Sequence, residues 1–419
     1  MGSEISGLYS MSVDERRKRI EKEIGAEEGG LSSLVPGSTD IEVLDGMIEN
    51  VIGAFELPVG IATNFLINGR DYLVPMAIEE PSVVAAASKA AKIIRRGGGF
   101  RAWSTDPVMI GQVQVTDVPY IDGAVEVLEN AKEELMEIAD SKDPLLVQFG
   151  GGIRDIEIRR IESAMGPMMV LHLLVDCRDA MGANAVNTMA EALAPRVETL
   201  TGGKVVLRII SNLAVHRLSS AEVVVPKEEL GGEEGVDLIL KAYHLAVSDP
   251  FRASTHNKGI MNGVSAVVRA TGNDTRAVEA GAHAYAAYKG SYSPLTSYRK
   301  DGNGNLIGEI TIPTAVGLVG GATKVHPAAK ATVRILGVKS ASELGEVLAA
   351  VGLAQNLAAL RVLATEGIQK GHMKLHARNL ALQAGAGPDE VDGVVILMLS
   401  RGKVTASDAK ELLEEYRSA

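Results

Sequence analysis

The rhythm of apolar residues between about 108 and 216 limits the fold more than any other stretch. A strand-like run over 111–117 precedes a helical spacing over 122–141, strand patterns near 155–164 and at 168–176, a helical spacing over 180–196, and a last strand over 204–210. The order β-α-β-β-α-β is the split motif of a ferredoxin-like sheet. It predicts a small domain at 108–216 inserted into a larger mixed helical and sheet domain formed by 1–107 and 217–368, with 369–419 as a small helical terminal subdomain. The fold class is therefore α+β.

The larger domain is expected to open with a charged helix from Ser12 to Ile24, started by a capping box of Ser12 and Glu15. Ile41 to Phe55 repeats Leu44, Met47, Ile48, Val51, Ile52 and Phe55 at helical spacing, which predicts a helix packed on a core. After the turn Asn68-Gly69-Arg70 comes a strand over Tyr72 to Ile78, then Glu79-Glu80-Pro81-Ser82 and a helix with Val83, Val84, Ala87, Ala91 and Ile94 inward. Pro81 fits the first helical position. Glu80 thereby stands at a strand-to-helix junction, where a side chain reaches over the edge of a sheet; the ordinary alternative is a carboxylate at a helix start.

Arg252 to His283 gathers polar residues with little charge. His256-Asn257-Lys258-Gly259-Ile260-Met261-Asn262-Gly263 sets a lysine among small and apolar neighbours, where an ammonium must find carboxylates or lose its proton. Gly272-Asn273-Asp274 is a turn opening a helix, with Ala277, Val278, Gly281, Ala282 and Tyr285 at three- and four-residue spacing. Asp274 is then either an N-cap or a partner for Lys258.

Composition removes whole classes of function. A net charge of −11 across 419 residues argues against the clustered basic face that nucleic acid requires. The single cysteine, Cys177, excludes an internal disulfide framework and points to a reducing compartment; at the end of the apolar run Val170 to Val175 it reads as core rather than nucleophile. No long unbroken apolar span and no signal-peptide pattern stand out, so a soluble, cytoplasmic protein without a membrane partner is expected. The 45 glycines, against 4% aromatic residues, predict tight turns and close helix packing.

Within the small domain, Asp176-Cys177-Arg178-Asp179-Ala180-Met181-Gly182-Ala183-Asn184 joins a strand to a helix, and the free N–H groups of such a start can hold a diphosphate. Gly150-Gly151-Gly152 is a second, weaker nest. Neither a dinucleotide G-x-G-x-x-G nor a Walker sequence is present. Asp301-Gly302-Asn303-Gly304-Asn305 imitates a calcium loop, but Leu306 and Ile312 hold the positions of its glycine and glutamate, which leaves a hairpin turn. His372 and His376 stand four apart in Gly371-His372-Met373-Lys374-Leu375-His376, without the glutamate or third ligand of a zinc site, so no metal is expected. Two further helices are expected at 389–400 and 406–417, the second capped by Thr405 and Asp408.

Taken together, Glu49-Asn50-Val51-Ile52-Gly53, Asn68-Gly69-Arg70-Asp71, Glu79-Glu80-Pro81-Ser82, Asp179-Ala180-Met181-Gly182-Ala183-Asn184, His256-Asn257-Lys258-Gly259, Gly272-Asn273-Asp274 and Gly371-His372-Met373 resemble class II 3-hydroxy-3-methylglutaryl-coenzyme A reductases, in the family's order from about 40 to 380. The resemblance implies reduction of a thioester to mevalonate and coenzyme A, or its reverse, with two nicotinamide cofactors used in turn. It implies Lys258 as the cation for a developing oxyanion, Glu80 as proton donor to the aldehyde, Asp274 as the carboxylate coupling the two, and His372, on a closing flap, as acid for the coenzyme A thiolate. Ser82, Arg252 and Asn262 are implied as substrate contacts. Asp179, Met181, Gly182 and Asn184 are implied at the cofactor. Asp143 is implied at the adenosine ribose, favouring NADH with NADPH as the alternative. The family also implies a homo-oligomer, a dimer with shared active sites or a trimer of such dimers.

Overall fold

The computed structural model describes residues 2–365, 368–387 and 389–418, apart from the side chains of 365 and 368–375. The chain opens with helix α1 (Val13–Glu23), where Ser12 and Glu15 form the reciprocal capping box. Helix α2 (Ile41–Asp45) follows. The expected helix over Ile41–Phe55 therefore stops after five residues. Asn50 takes a left-handed φ of 57° that no continuing helix accommodates, and Ile52 and Phe55 project into solvent. A short amphipathic helix is held by its packing partner, and in a single chain that stripe faces no core.

Strands β1 (Val59–Ile67) and β2 (Arg70–Ala77) pair antiparallel around Asn68-Gly69, both at positive φ as a tight hairpin demands. Helix α3 (Val83–Arg96) lies on β1. It starts two residues after Pro81, so Pro81 is not its first residue; Ser82 is the N-cap at φ 74°, and its side chain makes no capping bond. Strand β3 (Arg101–Ser104) leads into the inserted unit.

That unit contains β4 (Val108–Thr116), α4 (Ile121–Asn130), α5 (Lys132–Asp140), α6 (Pro144–Gln148), β5 (Gly152–Ile161), β6 (Met168–Asp176), α7 (Ala183–Thr201) and β7 (Lys204–Ser211). Its sheet has the antiparallel order β5-β6-β4-β7, with α5 and α7 over a core of Val113, Leu171, Leu173, Val186 and Leu193. The expected helix over 122–141 breaks at Ala131, whose φ −99° and ψ 6° leave the helical region.

The larger unit resumes with β8 (Leu218–Val225), α8 (Gly232–Ser248), α9 (Pro250–Ala270), α10 (Thr275–Ala287), β9 (Thr296–Lys300) and β10 (Leu306–Pro313). Strands β3, β8, β10 and β9 form the second sheet in that order; Asp301 closes the β9–β10 hairpin by accepting from the backbone N–H groups of Asn303 and Asn305. After α11 (Gly321–Val325) and α12 (Pro327–Leu336), helix α13 (Ala341–Thr365) runs through the middle of the main core. Contrary to the absence of a long apolar span read from the sequence, Ala341–Ala364 is long and apolar enough to cross a membrane by length and composition alone, and most of it is buried inside the fold. Glycines bring α9 and α13 together: a Cβ on Gly263 would stand 3.0 Å from Val351, and one on Gly352 would stand 3.1 Å from Ile260. Helices α14 (Ile368–Gln383), α15 (Val391–Ser400) and α16 (Ala406–Ser418) share a separate core of Leu380, Val394, Leu412 and Leu413.

Candidate active site

Helix α9 is the bar on which the site is built. Asp249 caps it by accepting from the N–H groups of Phe251 and Arg252, and Pro250 fills the first turn. Its inward face carries a buried polar network. Asn257 donates to the Ser293 carbonyl at 2.9 Å and accepts from the Leu295 N–H at 2.9 Å. His256 bonds Thr296 at 2.7 Å, and Thr296 and Tyr298 both donate to Asn356 Oδ1, at 3.1 and 2.9 Å. Since the Thr296 proton is committed to Asn356, His256 must donate through Nε2, which leaves its buried Nδ1 without a partner. Burial pushes His256 down to about 3, and Arg252 adds to the effect. These bonds fix the rotation of α9 and so the direction of Lys258.

Lys258 points to the strand-to-helix junction after β2. Its Nζ donates to Glu80 Oε2 at 2.9 Å, and Asn262, one turn along, donates to the same oxygen at 3.3 Å. Glu80 is therefore not the helix cap, a place that Ser82 takes. The pair is open: Lys258 is 60% and Glu80 37% exposed at the side chain. Six residues before Lys258 on α9, half-buried Arg252 has no hydrogen-bond or ion-pair partner for its guanidinium among the described residues, and burial lowers its pKa. A paired ammonium, a carboxyl group, an amide and an unpaired guanidinium can together bind a carboxylate and stabilise charge on a reducible carbonyl.

Asp274 is placed differently. It caps α10, accepting from the N–H groups of Arg276 and Ala277, and it also pairs with the Arg276 guanidinium at 3.1 Å. Among the described residues, no hydrogen bond or ion pair joins it to Lys258 or Glu80. The turn holding it borders a cleft of about 560 Å³ between Arg269, Asn273 and Thr332 on one side and the 33–59 segment on the other. His372 lies on α14, and its side chain is outside the described residues.

In the inserted unit, α7 begins at Gly182, whose φ of 107° and missing side chain leave the helix start uncapped; a Cβ there would stand 2.5 Å from Cys177 Sγ. Met181 is half-buried beside it and Asn184 lies exposed in the first turn. Such an uncapped start fits a diphosphate. Asp179 Oδ1, by contrast, accepts from the Ala341 N–H at 2.7 Å, at the start of α13. Asp143 caps α6 through Leu146 N–H at 3.0 Å. Cys177 is buried, and burial pushes its thiol up to about 11, so it is core and not a nucleophile. Sequence reasoning missed Arg217, a buried guanidinium that donates to the carbonyls of Ala180, Met181 and Val316 and clamps this loop to the larger unit. It also missed the His256–Thr296–Asn356 chain, whose only signal was a pair of polar residues beside an apolar helix face.

Comparison with known proteins shows what the chain as a whole is similar to. The family model described as hydroxymethylglutaryl-coenzyme A reductase matches residues 12–377. The chain is 58% identical over 418 residues to the 3-hydroxy-3-methylglutaryl-coenzyme A reductase of Archaeoglobus fulgidus, covering all of this chain and 96% of that one. It is 38% identical to a probable reductase of the same name from Borreliella burgdorferi, over 88% of this chain and 84% of that one. The structure is similar to the class II enzyme of Streptococcus pneumoniae, described as bound to NADPH in open conformations, with a TM-score of 0.82, 40% identity and coverage of 97% and 100%.

Proposed function

Because this chain belongs to the hydroxymethylglutaryl-coenzyme A reductase family, in its class II form, we propose that Glu80, Lys258, Asp274 and His372 carry its chemistry. The enzyme interconverts 3-hydroxy-3-methylglutaryl-coenzyme A with mevalonate and coenzyme A, as an oxidoreductase of the mevalonate pathway. The observation that supports Glu80 and Lys258 is the convergence of Lys258 and Asn262 on one oxygen of Glu80, while Asp274 and His372 rest on the resemblance.

A carbonyl that accepts hydride becomes an oxyanion, and Lys258 holds a compact positive charge where that oxygen develops. Glu80, hydrogen-bonded to the same ammonium, returns a proton to the oxygen of the aldehyde intermediate. The resemblance assigns Asp274 the coupling of these charges; here its carboxyl caps α10 and pairs with Arg276, and it is 37% exposed. His372 protonates the departing thiolate from the terminal helices, which close as a flap. Arg252 binds the free carboxylate of the substrate, with Ser82 and Asn262 as further contacts.

When bound, the nicotinamide cofactor supplies hydride in two successive transfers. Gly182 and the N–H groups of α7, with Met181 and Asn184, hold its diphosphate end, and Asp179 supports that loop through its bond to α13. The inserted domain, 108–216, is the cofactor domain; 1–107 and 217–368 bind substrate. Asp143 favours NADH, although the pneumococcal relative is described with NADPH.

The functional unit is a cytoplasmic homo-oligomer, a dimer with sites shared between subunits. Its support is the apolar stripe on 48–55, with Ile48, Ile52 and Phe55 exposed where a second copy would cover them. A spectrophotometric assay of purified protein with hydroxymethylglutaryl-coenzyme A and NADH or NADPH tests the activity. Sedimentation of the wild type against Ile52→Asp tests the assembly. A protein that turns over another acyl-coenzyme A better would belong to a neighbouring reductase activity.

A further inference from the structure

We infer that Arg269 is a positioning residue for Glu80. Lys258, Asn262, Ser265 and Arg269 recur at 0, 4, 7 and 11 along α9 and so lie on one stripe of the helix. The first two hold the Glu80 carboxyl. Arg269 holds the backbone that bears it: Nη1 donates to the carbonyl of Ala77, the last residue of β2, at 3.1 Å, and stands 3.8 Å from Glu79 Oε2. Only Ile78 and Glu79 separate that anchor from Glu80, and two further on Ser82 is held at φ 74°, a conformation that non-glycine residues adopt only when their surroundings impose it. The turn is thus fixed at one end by Arg269 and released at the other into α3. Without the anchor the turn can relax, and Glu80 shifts away from Lys258 while the helix and strand remain packed.

The carbonyl bond, rather than the ion pair, is the active contact. Glu79 is 70% exposed and its oxygen lies at the limit of ion-pair distance, where such pairs contribute little.

The inference rests on the reading of Glu80 as proton donor, and the test separates the two. Reduction of free mevaldehyde is measured in the wild type, Glu80→Gln, Arg269→Ala, Arg269→Lys, Glu79→Gln and the double variant Glu80→Gln/Arg269→Ala. Arg269→Ala should lower kcat about tenfold with KM nearly unchanged, within the loss that a displacement of an ångström produces. Arg269→Lys, which keeps one donor for one carbonyl, should recover most of the loss, also if the alanine variant fails to fold, and Glu79→Gln should match the wild type. In the Glu80→Gln background Arg269→Ala should cost nothing more, because the group it positions is gone. An unchanged kcat in Arg269→Ala, or the same tenfold loss in both backgrounds, overturns the positioning role while leaving Glu80 in place. Full turnover by Glu80→Gln overturns the acid itself, and the inference with it.

Discussion

Lys258 and Glu80 lie 178 residues apart in the chain and meet at 2.9 Å, with the ammonium and carboxyl group both open to solvent. An exposed pair of this kind adds little to stability, so under the proposed function its removal should tell on the reaction rather than on the fold. Lys258→Ala should leave a folded oligomer with turnover lower by roughly two to three orders of magnitude, the loss that follows removal of an oxyanion donor. Lys258→Arg should fail as well, since a planar fork does not replace a compact ammonium aimed at one oxygen. Steady-state kinetics with circular dichroism decides; near wild-type turnover in either variant removes Lys258 from the chemistry.

In the proposed function His372 serves a single step, the departure of the thiolate. His372→Ala should lose reduction of the thioester while still reducing free mevaldehyde. The comparison of kcat on the two substrates checks it, and equal losses contradict a donor specific to the thiolate.

His256 predicts how stability responds to acid. Folded, it stays neutral down to about 3; unfolded, it takes up a proton near its ordinary 6.5. Between those values the unfolded chain holds more protons, so stability is complete above 6.5 and falls as pH is lowered toward 3. His256→Gln removes that titration. Urea unfolding at neutral pH and at about pH 5 should show a smaller acid loss in the variant than in the wild type. Equal losses would assign the effect to other groups.

The ferredoxin-like sheet was legible because its period-two strands and period-3.6 helices alternate in an order with one common packing solution. The Ile41–Phe55 stripe misled for a related reason: periodicity reports an apolar face, not what covers it, and here Asn50 turns left-handed within the stripe. Glu80 and Lys258 were individually visible as charges at odd places, but their meeting depends on tertiary geometry and came only from the resemblance. Arg217 left no trace, since its acceptors are backbone carbonyls from separate segments and no side-chain pattern announces them.

Cys177 gives a simple check on the packing of the cofactor loop. Its thiol is buried under Gly182 and pushed up to about 11 by that burial. A thiol reagent at mildly alkaline pH should label the native protein far more slowly than the protein in denaturant. Labelling at the rate of a free thiol would mean that the β6–α7 junction opens in solution.

The proposed preference for NADH turns on Asp143. It caps the short helix α6, accepting the Leu146 N–H at 3.0 Å through Oδ1, which leaves Oδ2 for a ligand. A carboxylate there can accept hydrogen bonds from a ribose 2′-hydroxyl, as the acidic residue of an unrelated dinucleotide fold does. It also repels a 2′-phosphate bearing about −1.5 to −2 charges. Lys142, next in the chain, works against that repulsion. The carboxylate, fixed by its capping bond, should outweigh a flexible ammonium, so the wild type should prefer NADH. Asp143→Ala should raise NADPH use relative to NADH, and Asp143→Asn, which keeps a capping oxygen but not the charge, should do so without loosening α6. The measurement is the ratio of kcat/KM for the two cofactors in the three proteins. An unchanged ratio makes Asp143 a helix cap and nothing more, and a wild-type preference for NADPH reverses the cofactor assignment.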